Sequence, residues 1–224
     1  MFPVRLLTVF LSAAVLVSAH AHRKVADCDT STSVMDLPAN QTALVAPATP
    51  PLFILLGVGV QNYTCSGTTF ASIGAVASLM DISCLDHTPE FATVQTRAFE
   101  IWDRAPAGTS ATSIGAHVGA PHLDGFHYFV TSPSGTGLSP KWDFTSTGRF
   151  AGNATAFVLG AKVGDILAPT DPATNIDWLE LTAVEGDLAS TVFRIDTVNG
   201  QPPTSCVAGS PDISVKYTSK YYLY

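Results

Sequence analysis

The sequence predicts an all-β sandwich or barrel of about 8–10 mostly antiparallel strands, stapled by disulfides and covered by one helix. Three observations predict this class. Eight β-prone segments recur along the chain, turn residues such as Ser-Gly at 66–67 and Asn-Gly at 199–200 separate them, and four cysteines follow an export signal. A charged content of 13% with 46% apolar residues excludes general disorder.

Residues 1–21 have the features of a secretory signal peptide. Arg5 provides the positive start, residues 6–17 an apolar segment, and residues 19–21 (Ala-His-Ala) a cleavage signature. No later segment reaches the roughly 18 uninterrupted apolar residues that a membrane helix needs. We therefore expect a secreted protein, extracellular or cell-wall associated, with no membrane span.

The chain after the signal divides into an arm and a domain. Residues 22–50, rich in Ser, Thr, Pro and Ala, are expected to form an extended arm pinned by Cys28, and residues 51–224 a single β domain. Because cleavage removes Arg5 alone among the charged residues, ten basic and 18 acidic residues remain, a net charge of −8. This charge argues against binding to nucleic acid.

The predicted strands differ in how strongly they are marked. The longest apolar run, 52–65, is expected to be a core strand, and the aromatic run at the C-terminus, 214–224, a strand inside the sheet. The other predicted strands are 70–82, 126–131, 140–145, 154–167, 176–184 and 190–198.

One segment has helical spacing instead. Thr88 is placed as an N-cap, Pro89 lies in the first turn, and Pro106 ends the run, so residues 89–104 are predicted to form one helix over an end of the β core. The glycine-rich stretch 115–125 is expected to be a surface loop leading into the next strand.

The cysteines are expected to form two disulfides, and the residues alone leave three pairings open. No C-x-x-C pair exists, so metal ligation by cysteine is not expected. The cysteines are Cys28, Cys65, Cys84 and Cys206.

Three sequons, at Asn40, Asn62 and Asn153, predict N-glycosylation in a secretory pathway. Asn62 shares strand parity with the apolar residues of 52–60. It would be poorly glycosylated in a regular strand, unless a bulge near Gly57 or Gly59 turned it outward.

Few residues suggest catalysis. Three histidines, His117, His122 and His127, lie close to Asp124, but their spacing of five suits neither one strand face nor one helix face, so no metal site is predicted. Residues 57–62 (GVGVQN) lack the third glycine and the helix of a dinucleotide loop. No cofactor is therefore expected.

Five residues are candidates for binding: Gln61, Tyr63, His127, Trp142 and Arg194. Aromatic and amide side chains suit sugar stacking and hydrogen bonding. Arg194 is unusual in an apolar strand. It shares parity with Asp196, so a charge pair on the solvent face is the expected role and a binding role the alternative.

Seven segments of the chain carry a resemblance to a known family. They are 57–65 (GVGVQNYTC), 74–81 (GAVASLMD), 125–129 (GFHYF), 140–144 (PKWDF), 176–181 (IDWLEL), 193–203 (FRIDTVNGQPP) with Cys206, and 215–224 (VKYTSKYYLY). In sequence and in order they resemble the secreted family catalogued as domain of unknown function 3455, found in fungi and bacteria, and the additional cysteines and sequons resemble its fungal branch. One departure is Asn-Gly-Gln at 199–201, where a Gly-Gly is usual.

The resemblance implies a Cys65–Cys206 bridge, which leaves Cys28 and Cys84 as the second pair. The family pattern also keeps a His-Tyr pair, here at 127–128, which makes His127 the best candidate among the histidines. No established activity comes with the family, and the malate dehydrogenase label of some members conflicts with the missing nucleotide loop and the export signal.

We therefore expect a secreted, non-enzymatic binding module, with cell-wall glycan or a host surface as the candidate partner. An unrecognised hydrolase or metal-dependent enzyme built on His127 and Asp124 is the alternative.

Overall fold

Eight antiparallel strands follow one another around a closed barrel, each paired with its neighbours in sequence, and the last strand pairs with the first. The structure is a computed structural model and describes residues 28–224; the signal predicted for residues 1–21 and the first part of the arm lie outside them. The predicted all-β class and all eight predicted strands are confirmed. The strands are β1 (Phe53–Ser66), β2 (Thr69–Asp81), β3 (Leu123–Thr131), β4 (Leu138–Asp143), β5 (Phe157–Ile166), β6 (Trp178–Glu185), β7 (Thr191–Asn199) and β8 (Ile213–Leu223).

The predicted helix is shorter than expected. α1 is Val94–Arg104, and a separate 3-10 turn, Phe91–Thr93, precedes it. Thr93 has φ −123° and ψ 7°, which interrupts the helix, and the Thr88 hydroxyl donates to the Leu85 carbonyl instead of capping. The described part of the chain has no helix long and apolar enough to cross a membrane.

A second helix, α2 (Ala111–His117), corrects the prediction of a loop at 115–125. The Ser110 hydroxyl caps it by accepting a hydrogen bond from the Ser113 N–H. Gly115 is needed because a Cβ there would lie 2.4 Å from the Ala120 carbonyl oxygen. The glycine that argued against a helix thus permits close packing of the chain that follows it.

The barrel wall is buried on both faces along β1. Alternate residues such as Leu55 point inward, while Ile54, Leu56 and Val58 point outward beneath α1, α2 and the arm. This explains the continuous apolar run, since a strand covered on both sides needs no polar face. The inner core consists of Phe53, Leu55, Leu79, Trp142, Phe144, Val158, Leu181, Val192, Tyr221 and Leu223, with others at its rim.

The Gly-x-Gly motif of β1 serves packing inside the barrel. A Cβ on Gly57 would lie 2.5 Å from the ring of Tyr221, and one on Gly59 would lie 2.2 Å from the carbonyl oxygen of Val76. The two glycines therefore make room for an aromatic side chain from β8 and for the close approach of β2.

Two disulfides close the fold, with the pairing that the family resemblance implied. Cys65–Cys206 joins the end of β1 to the loop between β7 and β8, and Cys28–Cys84 joins the arm to the 3-10 turn after β2. The arm is held by burial as well, because Met35 and Leu44 pack on the outer face of the barrel.

The sequon at Asn62 lies on the outer face, next to a bulge between Asn62 and Tyr63 and not near Gly57 or Gly59. Its side chain is half-buried and accepts a hydrogen bond of 2.7 Å from the Ser214 hydroxyl. Asn40 and Asn153 are exposed. Glycosylation at the three sequons stays a prediction.

Candidate functional site

A small cavity of about 30 Å³ lies inside the barrel. Its lining is His127, Phe129, Pro140, Trp142, Leu179, Leu181, Arg194 and Tyr221. Wider grooves, of about 320, 590 and 510 Å³, lie outside the barrel among the described residues. We place the candidate site at the inner cavity, because its lining residue Trp142 has a buried polar atom without a hydrogen-bond partner in the described chain.

Strand pairing brings the lining residues together. His127 on β3 lies opposite Trp142 on β4, and Arg194 on β7 lies between Leu179 on β6 and Tyr221 on β8. Because side chains alternate along a strand, directly paired residues share the inner face. Three of the five predicted binding residues, His127, Trp142 and Arg194, therefore meet in one cavity.

His127 is a neutral residue of the inner wall. Its Nδ1 lies 3.0 Å from the carbonyl oxygen of Lys141, and since a carbonyl only accepts, Nδ1 carries the proton. The ring stacks on Trp142 with centroids 4.5 Å apart. Burial lowers the pKa of His127 to about 3. The imidazole therefore stays neutral near pH 7 and is poorly suited to act as a general acid there.

Arg194 points into the barrel and not to solvent. Its Nε and Nη2 donate to the main-chain carbonyl of Asp177 at 3.2 and 2.9 Å. The expected pair with Asp196 is wrong, because the register shifts between Ile195 and Val198 and Asp196 takes a φ of 50°. Asp196 instead accepts a 2.9 Å hydrogen bond from Lys220.

Gln61 and Tyr63 also face inward, further along β1. The Tyr63 hydroxyl donates to the Gly200 carbonyl at 2.7 Å, and burial raises the pKa of Tyr63 to about 12. Burial likewise raises the pKa of Tyr217, and Gln61 lies near its hydroxyl. The Tyr217 and Tyr221 hydroxyls lie 2.9 Å apart, which connects Gln61 to the cavity.

Tyr217 and Tyr221 are site residues that the sequence does not identify. Their shared parity in the C-terminal strand indicates that they lie on one face, but it does not show that Arg194 faces the same space. That followed only once β7 and β8 were paired, with Arg194 opposite Tyr221.

Three inward polar atoms lack partners within the described chain. They are Trp142 Nε1, Gln61 Nε2 and Ser219 Oγ, all buried without a hydrogen bond. Two of the three are donors only, and each such group costs about 1–3 kcal/mol when left unpaired. The interior thus has an excess of donors that a ligand or ordered water would satisfy.

The wall is incomplete beside the cavity. β4 and β5 pair only through residues 141–143 and 157–159, so the pairing stops at Pro140 and Gly160. Proline has no N–H to donate, and a Cβ on Gly160 would lie 3.0 Å from the Trp142 ring. The partial exposure of Pro140 and Phe129 indicates that solvent reaches this part of the lining.

Asp124 does not join His127. It is fully buried at the start of β3, beside Asp81 and Arg149. Burial, reinforced by the charge of Asp81, raises its pKa. The paired role expected for His127 and Asp124 is therefore not supported by their positions, since Asp124 is not in the cavity lining.

The other histidines are apart as well. His117 and His122 are exposed, whereas His127 is 2% exposed inside the barrel. Within residues 28–224, no group of three or more His, Cys, Asp or Glu side chains is placed to hold a metal ion.

Replacing Asp124 by asparagine is expected to raise the free energy of unfolding at pH 7 by about 1–3 kcal/mol, because a neutral amide replaces a fully buried carboxyl whose ionised form is disfavoured by burial and by the charge of Asp81. Because the pKa of Asp124 is raised in the folded protein, folding favours the protonated carboxyl. The free energy of unfolding of the wild type therefore falls as the pH rises and the carboxyl ionises. Urea unfolding at pH 7 and pH 3 measures this, and the gain should vanish at pH 3. The exposed Asp212→Asn is the control, and a loss of stability at pH 7 would show that Arg149 compensates the charge.

The fold and the site define a disulfide-linked, eight-stranded antiparallel barrel with a donor-rich inner cavity. The model of a family described as protein of unknown function (DUF3455) matches residues 46–224, and the chain belongs to this family. Comparison with curated proteins and comparison with solved structures each give no match.

Proposed function

We propose that the protein is a secreted, non-enzymatic binding protein whose ligand enters the cavity inside the barrel. One observation carries the proposal. Trp142 is 1% exposed and lines the cavity, and its Nε1 donor is buried without a partner in the described chain. A buried unpaired donor on a residue that lines a cavity is what a binding site presents before its ligand arrives.

The composition of the lining supports binding over catalysis. It has one ionised side chain, Arg194, one neutral imidazole, His127, and otherwise aromatic, proline and leucine side chains. None of the lining residues is a serine, cysteine, aspartate, glutamate or lysine. The usual nucleophiles and carboxylate bases are therefore missing from the lining. Two disulfides are consistent with an extracellular location.

Cell-wall glycan or a host surface is the second candidate partner, at a different place. The inner cavity has room for about one or two waters, which is too small for a sugar ring without widening. The outer groove of about 590 Å³ presents the half-buried ring of Phe91 beside the Lys220–Asp196 pair. An aromatic ring next to charged groups suits a glycan.

The indole N–H resonance of Trp142 tests the inner site directly. In ¹⁵N-labelled protein, Trp142→Phe identifies this resonance among those of the three tryptophans. A library of small polar fragments is expected to contain compounds that shift it in a saturable way and leave the Trp178 resonance in place. The proposal fails if no fragment shifts it.

Gly160→Val provides the blocking variant, because a Cβ there would lie 3.0 Å from the Trp142 ring, so the valine side chain pushes against the cavity lining. It is expected to abolish the shift while the far-ultraviolet circular dichroism stays unchanged. Val163→Leu, at an exposed position of the same strand, is the control. A glycan array with wild-type and Phe91→Ala protein tests the outer groove, and loss of a glycan signal in the variant would support that second candidate.

A further inference from the structure

We infer that the ligand of the inner cavity carries a carboxylate, bound by Arg194 and Trp142, on a small apolar or aromatic body. The inference rests on the proposed function and adds the chemical class of the ligand.

The guanidinium of Arg194 is the first reason. The side chain is half-buried inside the barrel, and none of the ion pairs in the described chain includes it. Its bonds to Asp177 go to the main-chain carbonyl, and the Asp177 carboxylate acts on Arg194 electrostatically without forming an ion pair. A partly buried cation without a direct anionic partner is unfavourable, and an anionic ligand in contact with it removes that penalty.

The second reason is that the other free groups are donors. The unpaired Trp142 N–H shares the lining with Arg194 and with Tyr221, whose ring centroid lies 5.8 Å from that of Trp142. A carboxylate only accepts hydrogen bonds and has about four acceptor positions. It satisfies these donors together, and Arg is the side chain best matched to it.

The third reason is shape. The cavity of about 30 Å³ admits one small polar group and no more. The remaining lining on the side of the wall gap is apolar, with Phe129, Pro140 and Leu179. The head group therefore lies at Arg194, and the body of the ligand lies between these three side chains at the opening between β4 and β5.

Benzoate and its uncharged isostere benzamide test the inference, with acetate and acetamide as the smaller pair. Calorimetry gives the affinities, and the Trp142 indole resonance shows where each compound binds. Benzoate is expected to shift this resonance and to bind at least about tenfold more tightly than benzamide. This factor corresponds to one hydrogen bond to a charged group.

Variants separate charge from shape. Arg194→Gln keeps a donor for the Asp177 carbonyl and is expected to lower benzoate affinity about tenfold or more while leaving benzamide affinity unchanged. Arg97→Gln, at an exposed position on α1, removes the same charge and should change neither affinity. Trp142→Phe should also lower the affinity for benzoate, measured by calorimetry. This variant tests the inference if Arg194→Gln does not fold.

The outcomes distinguish the inference from the proposed function. If benzoate and benzamide shift the Trp142 resonance equally, the carboxylate assignment is wrong while binding in the cavity stands. If neither carboxylate shifts it but other fragments do, the assignment is again wrong. If no compound reaches Trp142, both the inference and the proposed function fail.

Discussion

Between pH 7 and pH 4, the wild-type protein is expected to lose about 3 kcal/mol more of its free energy of unfolding than the His127→Asn variant. The imidazole is 2% exposed, and its burial lowers its pKa to about 3 from 6.5. Below pH 6.5 the unfolded chain therefore takes up a proton that the folded chain does not, and stability falls with the pH. Each pH unit removes up to about 1.4 kcal/mol until the folded state is protonated near pH 3.

Urea unfolding of the two proteins across this pH range measures the effect. Asparagine is suited to the position because its amide can donate to the Lys141 carbonyl in place of Nδ1. At pH 7 the variant is expected to be the less stable protein, since the stacking on Trp142 is lost. His122→Asn, at an exposed position, should follow the wild-type curve. Parallel curves for wild type and His127→Asn would show that the folded protein accepts the proton at an ordinary pH.

The strands of this fold could be predicted from the sequence because their signals are local. Turn residues such as Gly67 and Gly200, both with positive φ, mark where the chain reverses, and β-prone runs lie between them. The family resemblance then supplied the Cys65–Cys206 pairing, which spacing alone left among three possibilities.

Which residues face the inside of the barrel and which face the outside could not be predicted from local signals. β1 is apolar on both faces, so its alternation does not show which face is inner. Gly57 and Gly59 lie on the inner face, but in the sequence they resemble part of a nucleotide loop and carry no sign of that position. The covering elements come from the distant segments of the arm, α1 and α2. Which face they cover depends on contacts remote in sequence.

The candidate site shows the same limit. Residues of the right types were found, but Arg194 was assigned to a surface pair because a regular strand places it with Asp196. A single bulge in β7 breaks that parity and sends Asp196 outward to Lys220. Bulges of this kind carry little sequence signal when no glycine marks them. The cavity is lined by residues of β3, β4, β6, β7 and β8, so it forms only when the sheet closes into a barrel. No single segment of the sequence predicts that closure.

The Cys65→Ala/Cys206→Ala variant is expected to lose about 5 kcal/mol of unfolding free energy. The two cysteines are 141 residues apart in sequence, and a bridge of that span restricts the unfolded chain strongly. It also holds the loop between β7 and β8, which has no helix or strand of its own and is further tied by the bond from the Cys206 N–H to the Thr68 carbonyl at 2.9 Å. That loop begins at Gly200, the acceptor of the Tyr63 hydroxyl inside the barrel.

Urea unfolding without reductant, compared with the Cys28→Ala/Cys84→Ala variant, measures the loss. The second bridge spans 56 residues, for which the same chain-entropy argument gives about 4 kcal/mol. It ties the arm to the outside of the barrel, so its loss can also be limited by local release of the arm before the barrel unfolds. We therefore expect the Cys65→Ala/Cys206→Ala variant to be the less stable of the two. It should also change the environment of Tyr63, whereas the Cys28→Ala/Cys84→Ala variant should not. Equal stability of the first variant and wild type would show that the unfolded chain is already compact around β1 and the 200–212 loop, so that the bridge restricts little.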